Sequence, residues 1–201
     1  MNHRASSNES DRILDDQEKL IVRALIRDPR LSDNQIGKLT GVPTPSVRRK
    51  RKKLEEEGLL SYFAALDMQE SGTGTFGARH LYVIKFRIGI TVKQLVEEIK
   101  NEPNVRTIFT DLIYESHIAE IDGRVALVMI IEGKHDADIV ENMQGKIVPS
   151  LRKNHGPDSI EEISTIRLLN PVRVFHNYVP LVNMRRGVLN PDWPKDAVFV
   201  G

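Results

Sequence analysis

Apolar residues near the start of the chain recur at helical spacing and predict an amphipathic helix over residues 14–27. Ile21 and Leu25 lie on one stripe of that helix, which predicts a buried side. Pro29 cannot continue the helical hydrogen-bond ladder, and it disfavours the α conformation at the residue before it. The helix is therefore expected to end at Asp28.

A second, shorter helix is predicted directly after this stop. Ser32 and Gln35 have the spacing of a capping box, and Ile36 and Leu39 supply an apolar side. Gly41 follows the last apolar residue, where a glycine can take the left-handed conformation that ends a helix. A tight turn is therefore expected before the next element.

The third predicted helix covers residues 44–57 and has two chemically different sides. Val47 and Leu54 fall on nearly the same side at about 100° per residue, so that side can pack. The helix contains an unbroken run of six basic residues, most of which spread over the other side: Arg48, Arg49, Lys50, Arg51, Lys52 and Lys53. Three helices with a tight turn before the last describe a helix-turn-helix unit. The alternative for a basic run alone is a solvated helix surface or a localisation signal.

Residues 59–66 follow the helix stop at Gly58 and are rich in strand formers. We expect them to form the short strand of a wing or an interdomain connector. The next segment, residues 67–78, contains Gly72, Gly74 and Gly77, which formally match a dinucleotide-binding fingerprint. That fingerprint must leave a strand and open a helix, whereas this segment leads into a strand, so an interdomain hinge is favoured.

The remaining pattern alternates strands and helices in a recognisable order. Asp122-Gly123 is a two-residue hairpin signal between two β-rich stretches. The predicted elements are a strand at 79–88, a helix at 91–101, a β-rich stretch at 105–121, a strand at 125–131, a helix at 136–153 and a strand at 160–169. A β-α-β-β-α-β order is that of a ferredoxin-like split unit. The fold class predicted from the sequence is α+β.

Composition narrows the function classes. The net charge is only +1, yet residues 12–60 carry twelve basic and eight acidic residues, so the positive surplus is local, as in a nucleic-acid reader. The chain has no cysteine, which removes thiolate catalysis and cysteine-based zinc sites. Its six histidines show no ligand cluster, and no metal or cofactor is expected.

No apolar run reaches the roughly 20 residues of a membrane span, so we expect a cytoplasmic protein without a membrane partner. Residues 1–12 are polar and are expected to be a disordered leader.

The N-terminal motifs resemble those of the Lrp/AsnC family of bacterial and archaeal regulators. The resemblance rests on Leu14-Asp15, on residues 28–31 before Ser32, on Gly41-Val42, on Ser46-Val47-x-Arg49 and on residues 54–60. It covers residues 12–170 and implies a winged helix-turn-helix DNA-binding domain at 13–66 and a ferredoxin-like effector and oligomerisation domain at 79–170. The family usually has an apolar residue where this chain has Arg51, whose side chain is expected to snorkel outward over its own stem.

The resemblance also implies partners. Members of this family commonly dimerise by pairing their sheets, and often assemble further. Their small effectors, typically amino acids, bind near the loop after the second strand, where a Gly-x-x-Asp pattern is common. Here Gly123 is followed three positions later by Ala126 rather than aspartate, so the effector is expected not to be a common amino acid. Glu120, Asp122 and Gly123 are the candidate effector-binding residues.

Residues 171–201 lie beyond the resemblance as a C-terminal extension. Four prolines argue against a helix, whereas several apolar residues argue against a simple disordered end, so the extension is expected to pack on this or a neighbouring subunit. Arg185-Arg186 is more typical of a solvated surface pair than of a phosphate contact.

The function favoured by the sequence is sequence-specific binding of double-stranded DNA by a non-enzymatic transcriptional regulator. The helix at 44–57 would enter the major groove. Its candidate base-reading residues are Thr44, Ser46, Arg48 and Arg49, and its candidate phosphate-binding residues are Lys50, Lys52 and Lys53. Two alternatives share this architecture: a sirohaem-decarboxylase-like enzyme, and a sensor or co-regulator that does not bind DNA. A decarboxylase would not need a strongly basic helix, whereas DNA binding gains affinity from each neutralised phosphate.

Overall fold

The computed structural model describes residues 12–64, 77–101 and 111–200. These residues form two compact units: 12–64 together with 171–200, and 77–101 together with 111–170. The second unit is thus inserted in sequence between the two parts of the first. The predicted hinge lies outside the described residues except for its last two positions, as does the predicted leader except for residue 12.

Three helices form the N-terminal part of the first unit, as predicted: α1 (Asp16–Arg27), α2 (Asp33–Thr40) and α3 (Thr44–Glu56). The Ser32 hydroxyl accepts from the Gln35 backbone N–H, and the Gln35 side chain accepts from the Ser32 N–H, which confirms the capping box. Gly41 ends α2 with φ 75°, a left-handed conformation that glycine adopts without strain. Helix α1 ends at Asp28, and Ile21, Ile36 and other apolar side chains form one core.

The wing strand expected at residues 59–66 is not present in its described part. Residues 59–64 form no ladder with any described strand, and Phe63 is exposed. Strand-forming residues become a strand only when a neighbouring strand satisfies their backbone groups. Residues 65 and 66 lie outside the described part of the chain.

The second unit has the predicted ferredoxin-like order. Its elements are β1 (Ala78–Phe86), α4 (Val92–Asn101), β2 (Ile113–Ile121), β3 (Arg124–Gly133), α5 (Asp136–Asn142), a π-helical turn (Met143–Ile147), α6 (Val148–His155) and β4 (Ile160–Leu168). The strands pair antiparallel in the order β2-β3-β1-β4. Asp122 (φ 52°) and Gly123 (φ 71°) form the predicted two-residue hairpin, since both are left-handed as a type I′ turn requires.

The predicted helix at 136–153 is interrupted by the π-helical turn. Val148 donates its N–H five residues back to the Met143 carbonyl. Pro149 lies in the first turn of α6 and has no N–H, so it cannot donate to the carbonyl of Gly145. A wider turn before a proline accommodates this missing hydrogen bond.

Alternation along the strands separates the two faces of the sheet. Tyr82, Ile84 and Phe86 of β1 are buried, and α4, α5 and α6 cover this face with apolar side chains such as Leu95 and Ile139. The residues that alternate with them on β1 and β3 face the other way and are only partly buried: Leu81, Val83, Val128 and Ile130. One side of the sheet is therefore a packed core, and the other is an apolar surface without a covering helix among the described residues.

The C-terminal extension packs on α1 of its own chain. It contains a short hairpin of β5 (Met184–Arg185) and β6 (Val188–Leu189) and a 3₁₀ turn (Lys195–Ala197). The guanidinium of Arg27 donates to the backbone carbonyls of Asn190 and Trp193 at 3.1 and 2.9 Å. The Tyr178 hydroxyl donates to the Ile26 carbonyl at 2.9 Å, which satisfies an acceptor that the end of the helix leaves open.

Candidate nucleic-acid interface

Helix α3 is held by its apolar side. Val47 and Leu54 have no exposed surface, as the helical spacing predicts. Pro45 lies in the first turn, where a missing N–H costs no hydrogen bond, and no side chain caps the helix start. The remaining faces of α3 carry the basic run.

Arg48 and Arg49 point outward near the beginning of α3. Both side chains are exposed, and neither forms a hydrogen bond or ion pair with another described residue. Thr44 and Ser46, in the same part of the helix, are partly buried. The beginning of α3 thus presents two guanidinium groups that have no described partner beside two hydroxyl groups, a set that can donate to guanine edges and to phosphate oxygens.

Lys52 and Lys53 are also exposed, but each has an acidic neighbour one turn later. The Lys52 ammonium lies 3.4 Å from the Glu56 carboxylate, and that of Lys53 lies 3.6 Å from Glu57. Pairs of this kind on an exposed helix contribute only about 0.3–0.5 kcal/mol. Both lysines can therefore exchange their partners for phosphate groups.

Lys50 does not share the outward face. Its side chain is 11% exposed, and its ammonium group pairs with Asp15 at the N-terminus of α1. The hydrogen bond from Lys50 holds the pKa of the Asp15 carboxyl below its usual range. Lys50 follows Arg48 by two residues, so its side chain lies about 200° further around the helix axis. This position explains why the Lys50 ammonium group faces the protein. The predicted phosphate role of Lys50 does not fit this position.

Arg51 is partly buried, and its guanidinium does more than snorkel over its own stem. It donates to the Leu31 carbonyl at 3.1 Å and to Asp33 at 3.3 Å, which connects α3 to the N-terminal end of α2. It also donates to Glu55 at 3.1 Å and lies 5.2 Å from the ring centre of Tyr62. Burial raises the pKa of the Tyr62 hydroxyl. Where the resemblance implies an apolar residue, this chain has a polar connection.

Arg12 joins the start of α1 to the end of α3. Its guanidinium makes two hydrogen bonds of 2.9 Å to the buried carboxylate of Glu18 and one of 3.2 Å to Glu57. Hydrogen bonds from Arg12 lower the pKa of Glu18 despite its burial, and Glu18 also accepts from the Asp15 N–H in the α1 capping box. This role of Arg12 cannot be predicted from its neighbours, because residue 12 lies in a stretch with the pattern of a polar leader.

The candidate effector residues lie at the β2–β3 hairpin. Glu120 and Asp122 are exposed, and the Lys85 ammonium donates to Asp122 at 2.7 Å, which lowers the pKa of that carboxyl. Ala126, where the resemblance implies an acid, is fully buried. The three candidates are adjacent, yet they line neither the cavity at Leu95 and Met129 nor the one at Arg87 and Pro157.

Among the described residues, no group of histidine and acidic side chains has the arrangement of a metal site. No described helix has the length and apolar character needed to span a membrane.

Comparison with known proteins supports the reading of the N-terminal unit. Residues 14–61 match the family model described as winged helix-turn-helix DNA-binding. The HTH-type transcriptional regulator LrpA of Pyrococcus abyssi is 25% identical over 141 residues, which are 67% of this chain and 89% of LrpA.

Solved structures share the fold of both units. LrpC of B. subtilis has a TM-score of 0.57 at 15% identity, covering 81% of this chain and 99% of its own. A transcriptional regulator of Neisseria meningitidis, solved as an L-Met complex, has a TM-score of 0.59 at 12% identity. The match covers 81% of this chain and 94% of that regulator. An AsnC family regulator of Agrobacterium tumefaciens has a TM-score of 0.54 at 17% identity, with 80% and 94% covered.

The helix-turn-helix exposes Arg48 and Arg49, and the family model that it matches is that of winged helix-turn-helix DNA-binding. These findings define a winged helix-turn-helix DNA-binding protein that also carries a ferredoxin-like unit. In sequence the chain is similar to the transcriptional regulator LrpA, and in fold it is similar to LrpC and to an AsnC family regulator.

Proposed function

We propose that this protein recognises specific DNA sequences by placing the beginning of α3 in the major groove. The observation that carries the proposal is the exposed pair Arg48 and Arg49, which has no partner among the described residues, on a helix whose opposite side is packed into a core. Either arginine can donate two hydrogen bonds to the O6 and N7 atoms of guanine. Thr44 and Ser46, in the same part of the helix, would lie nearest the same base edges.

Lys52 and Lys53 would bind phosphate groups beside this reading surface. Their weak pairs with Glu56 and Glu57 are exchanged for phosphate contacts, while release of condensed counterions supplies affinity for any duplex. Lys50 is left out of the DNA-binding set because its ammonium group is engaged with Asp15. The proposal therefore separates residues that read sequence from those that supply general affinity.

Recovery of genomic DNA fragments bound by the intact protein would test this function. Enrichment of a common motif, followed by tighter binding to that motif than to random duplex, is the expected result. A specific site typically binds about 10³-fold or more tightly than random DNA. Absence of any duplex binding at low salt would contradict the proposal.

We also propose that the protein forms a homodimer, with further assembly as in the family. The uncovered sheet face supports a partner: Leu81, Val83, Val128 and Ile130 line it, and Ile166 of β4 is 53% exposed. Apolar surface of this kind is stabilised by burial against another sheet. Sedimentation of the full chain should show a dimer or larger species, and Ile166→Glu should shift it toward monomer. A monomeric wild-type protein would contradict this assembly.

The protein is proposed to act by binding rather than by catalysis, in the cytoplasm where its DNA target would lie. Small-molecule control is proposed as well. The Neisseria meningitidis regulator of the same fold was solved with L-Met. In this chain Ala126 occupies the position of the expected acid, so the effector is proposed not to be a common amino acid.

A further inference from the structure

A cleft of about 330 Å³ lies within the second unit, at the end of β2 far from the hairpin. Its floor and walls are apolar, and its polar side chains come from α4, α6 and the beginning of β2. The apolar lining is formed by Leu95, Ile99, Ile113, Leu127, Met129 and Leu151. This volume is at the lower end of the range for small-molecule sites, which combine an apolar lining with a few polar groups.

Two acidic residues line the cleft, Glu98 from α4 and Glu115 from β2. The carboxylate of Glu115 is engaged by His117, with 2.7 Å between Oε1 and Nε2, which leaves Glu98 as the candidate anionic group. Oε2 of Glu98 lies 2.9 Å from Nε2 of His155, whose side chain is only 3% exposed, but the ring is not oriented to donate to it. This buried oxygen has no hydrogen bond to any described residue. A carboxylate oxygen without a donor is stabilised by an additional cation nearby.

The His155 ring beside the Glu98 carboxylate is itself held in place by the core. The imidazole ring packs edge-on against Phe86, with 5.4 Å between ring centres, so it is held by the core. Because Oε2 is buried beside this ring, the 31% of the Glu98 side chain that remains exposed is the part a ligand can reach. The cleft therefore offers a preoriented anionic group above an apolar floor.

The charges of the lining exclude one class of ligand. Neither lysine nor arginine is among the described lining residues, so within the described part of the chain a ligand carboxylate would meet Glu98 without a lysine or arginine to offset its charge. An α-amino acid carries such a carboxylate. A primary amine with a compact apolar body would place its ammonium group at Glu98 and its hydrocarbon on Leu127 and Met129.

We propose that this cleft binds a small aliphatic primary amine that lacks a carboxylate. Its role as an effector site rests on the proposed function, whereas binding itself does not. The site lies within one chain and involves neither Glu120 nor Asp122 at the hairpin. Under this proposal the effector of the regulator is an amine, not the amino acid with the same side chain.

Calorimetric titration of the full-length protein with matched probes tests the proposal. The probes are 3-methylbutylamine, L-leucine, which adds a carboxylate, and 3-methylbutan-1-ol, which removes the charge. We expect saturable binding of the amine with a Kd below about 1 mM, and binding of the other two at least about tenfold weaker. No saturable binding of the amine, or equal binding of L-leucine, would overturn the proposal.

Variants locate the site. Glu98→Gln keeps the shape of the side chain and removes its charge, and it should weaken amine binding at least about tenfold. Glu97→Gln, on an exposed neighbour of the same helix that does not line the cleft, is the matched control and should leave Kd within about twofold. Amine binding that is unchanged in Glu98→Gln would overturn the assignment.

Ser116→Phe provides a second test of where the amine binds, which applies even if Glu98→Gln is unstable. Ser116 lines the cleft on the exposed edge strand β2, and Ser116→Phe adds bulk there without removing a core side chain. Loss of amine binding by a variant with an unchanged Tm is expected, and full retention would place the amine elsewhere and overturn the site.

DNA titration with and without 3-methylbutylamine tests the regulatory role separately. We expect the amine to change DNA affinity by at least about threefold in the wild type and not in Glu98→Gln, since coupling between sites is reciprocal. Amine binding with unchanged DNA affinity would overturn only the regulatory role. Loss of the DNA function itself would instead appear as absent duplex binding without any amine.

Discussion

Helix α3 carries cations on two sides, and the two sets differ in what they contact. Arg48 and Arg49 on the outward side have no partner among the described residues, whereas Lys50 pairs with Asp15 and Arg51 joins α3 to α2. The four residues are consecutive and have similar charge. Their angular position around the helix separates those available to DNA from those that fix the helix in the protein. The count of charges in a basic run therefore overstates its DNA-binding capacity.

The largest expected effect concerns the packed side that orients this helix. Leu54→Ala should lower the free energy of unfolding by about 2–5 kcal/mol, because Leu54 is fully buried and its truncation leaves a cavity. Chemical denaturation monitored by circular dichroism measures this change. An effect as small as that of the exposed control Leu39→Ala would mean that the inner side of α3 is not a tightly packed surface.

Arg51→Met should lower the free energy of unfolding by about 1–3 kcal/mol, since it leaves the Leu31 carbonyl and Asp33 without their donor. The methionine keeps most of the apolar stem, so the measured loss reports the polar connection. Lys53→Met, on the exposed side, is the matched control and should stay within about 0.5 kcal/mol. Equal stability of the two variants would remove the distinction between the inward and outward sides.

Lys52→Ala with Lys53→Ala should weaken binding to selected and random duplexes alike. If each lysine neutralises one phosphate, the slope of log K against log salt should become shallower by about 1.8. Titrations at four salt concentrations give this slope. A change confined to the selected sequence would show that these lysines read bases, contrary to the role given to them.

The smallest expected effect is a pH dependence. The folded-state pKa of Asp15 is depressed by Lys50, so its contribution to stability is complete above the unfolded pKa, near 3.8, and is lost as pH falls through the lower folded value. Asp15→Asn should flatten the decrease in stability below about pH 4, by no more than about 1 kcal/mol, because the side chain is half exposed. If the free energy of unfolding decreased equally with falling pH in the wild type and in Asp15→Asn, the coupling between Asp15 and Lys50 would be contradicted.

Much of the fold follows from local patterns. The Ser32 capping box, the left-handed Gly41 and the Asp122-Gly123 hairpin are each specified by two or three neighbouring residues, and each forms as predicted. Residues 59–64, expected to form a wing strand or an interdomain connector, form no strand in the described part of the chain, because a strand depends on a distant partner. The residues of a short segment predict turns and helix ends better than they predict which strands pair.

The interface was predictable to the extent that helical spacing separates Val47 and Leu54 from Arg48 and Arg49. The inward role of Lys50 depends on Asp15, 35 positions away, and a basic run does not reveal such a partner. The docking of the C-terminal extension was equally hidden, because Arg27 binds backbone carbonyls, which any sequence supplies.

The most direct test of the two-sided helix is a duplex titration of Arg49→Ala and Lys50→Met at several salt concentrations. We expect Arg49→Ala to weaken binding to the selected sequence by about 1–3 kcal/mol, and to random DNA by less, because the lost contact is to a base. Lys50→Met should keep both the sequence preference and the salt slope of the wild type. A Lys50→Met variant with a shallower slope, beside an Arg49→Ala variant with unchanged preference, would contradict the assignment of the two sides.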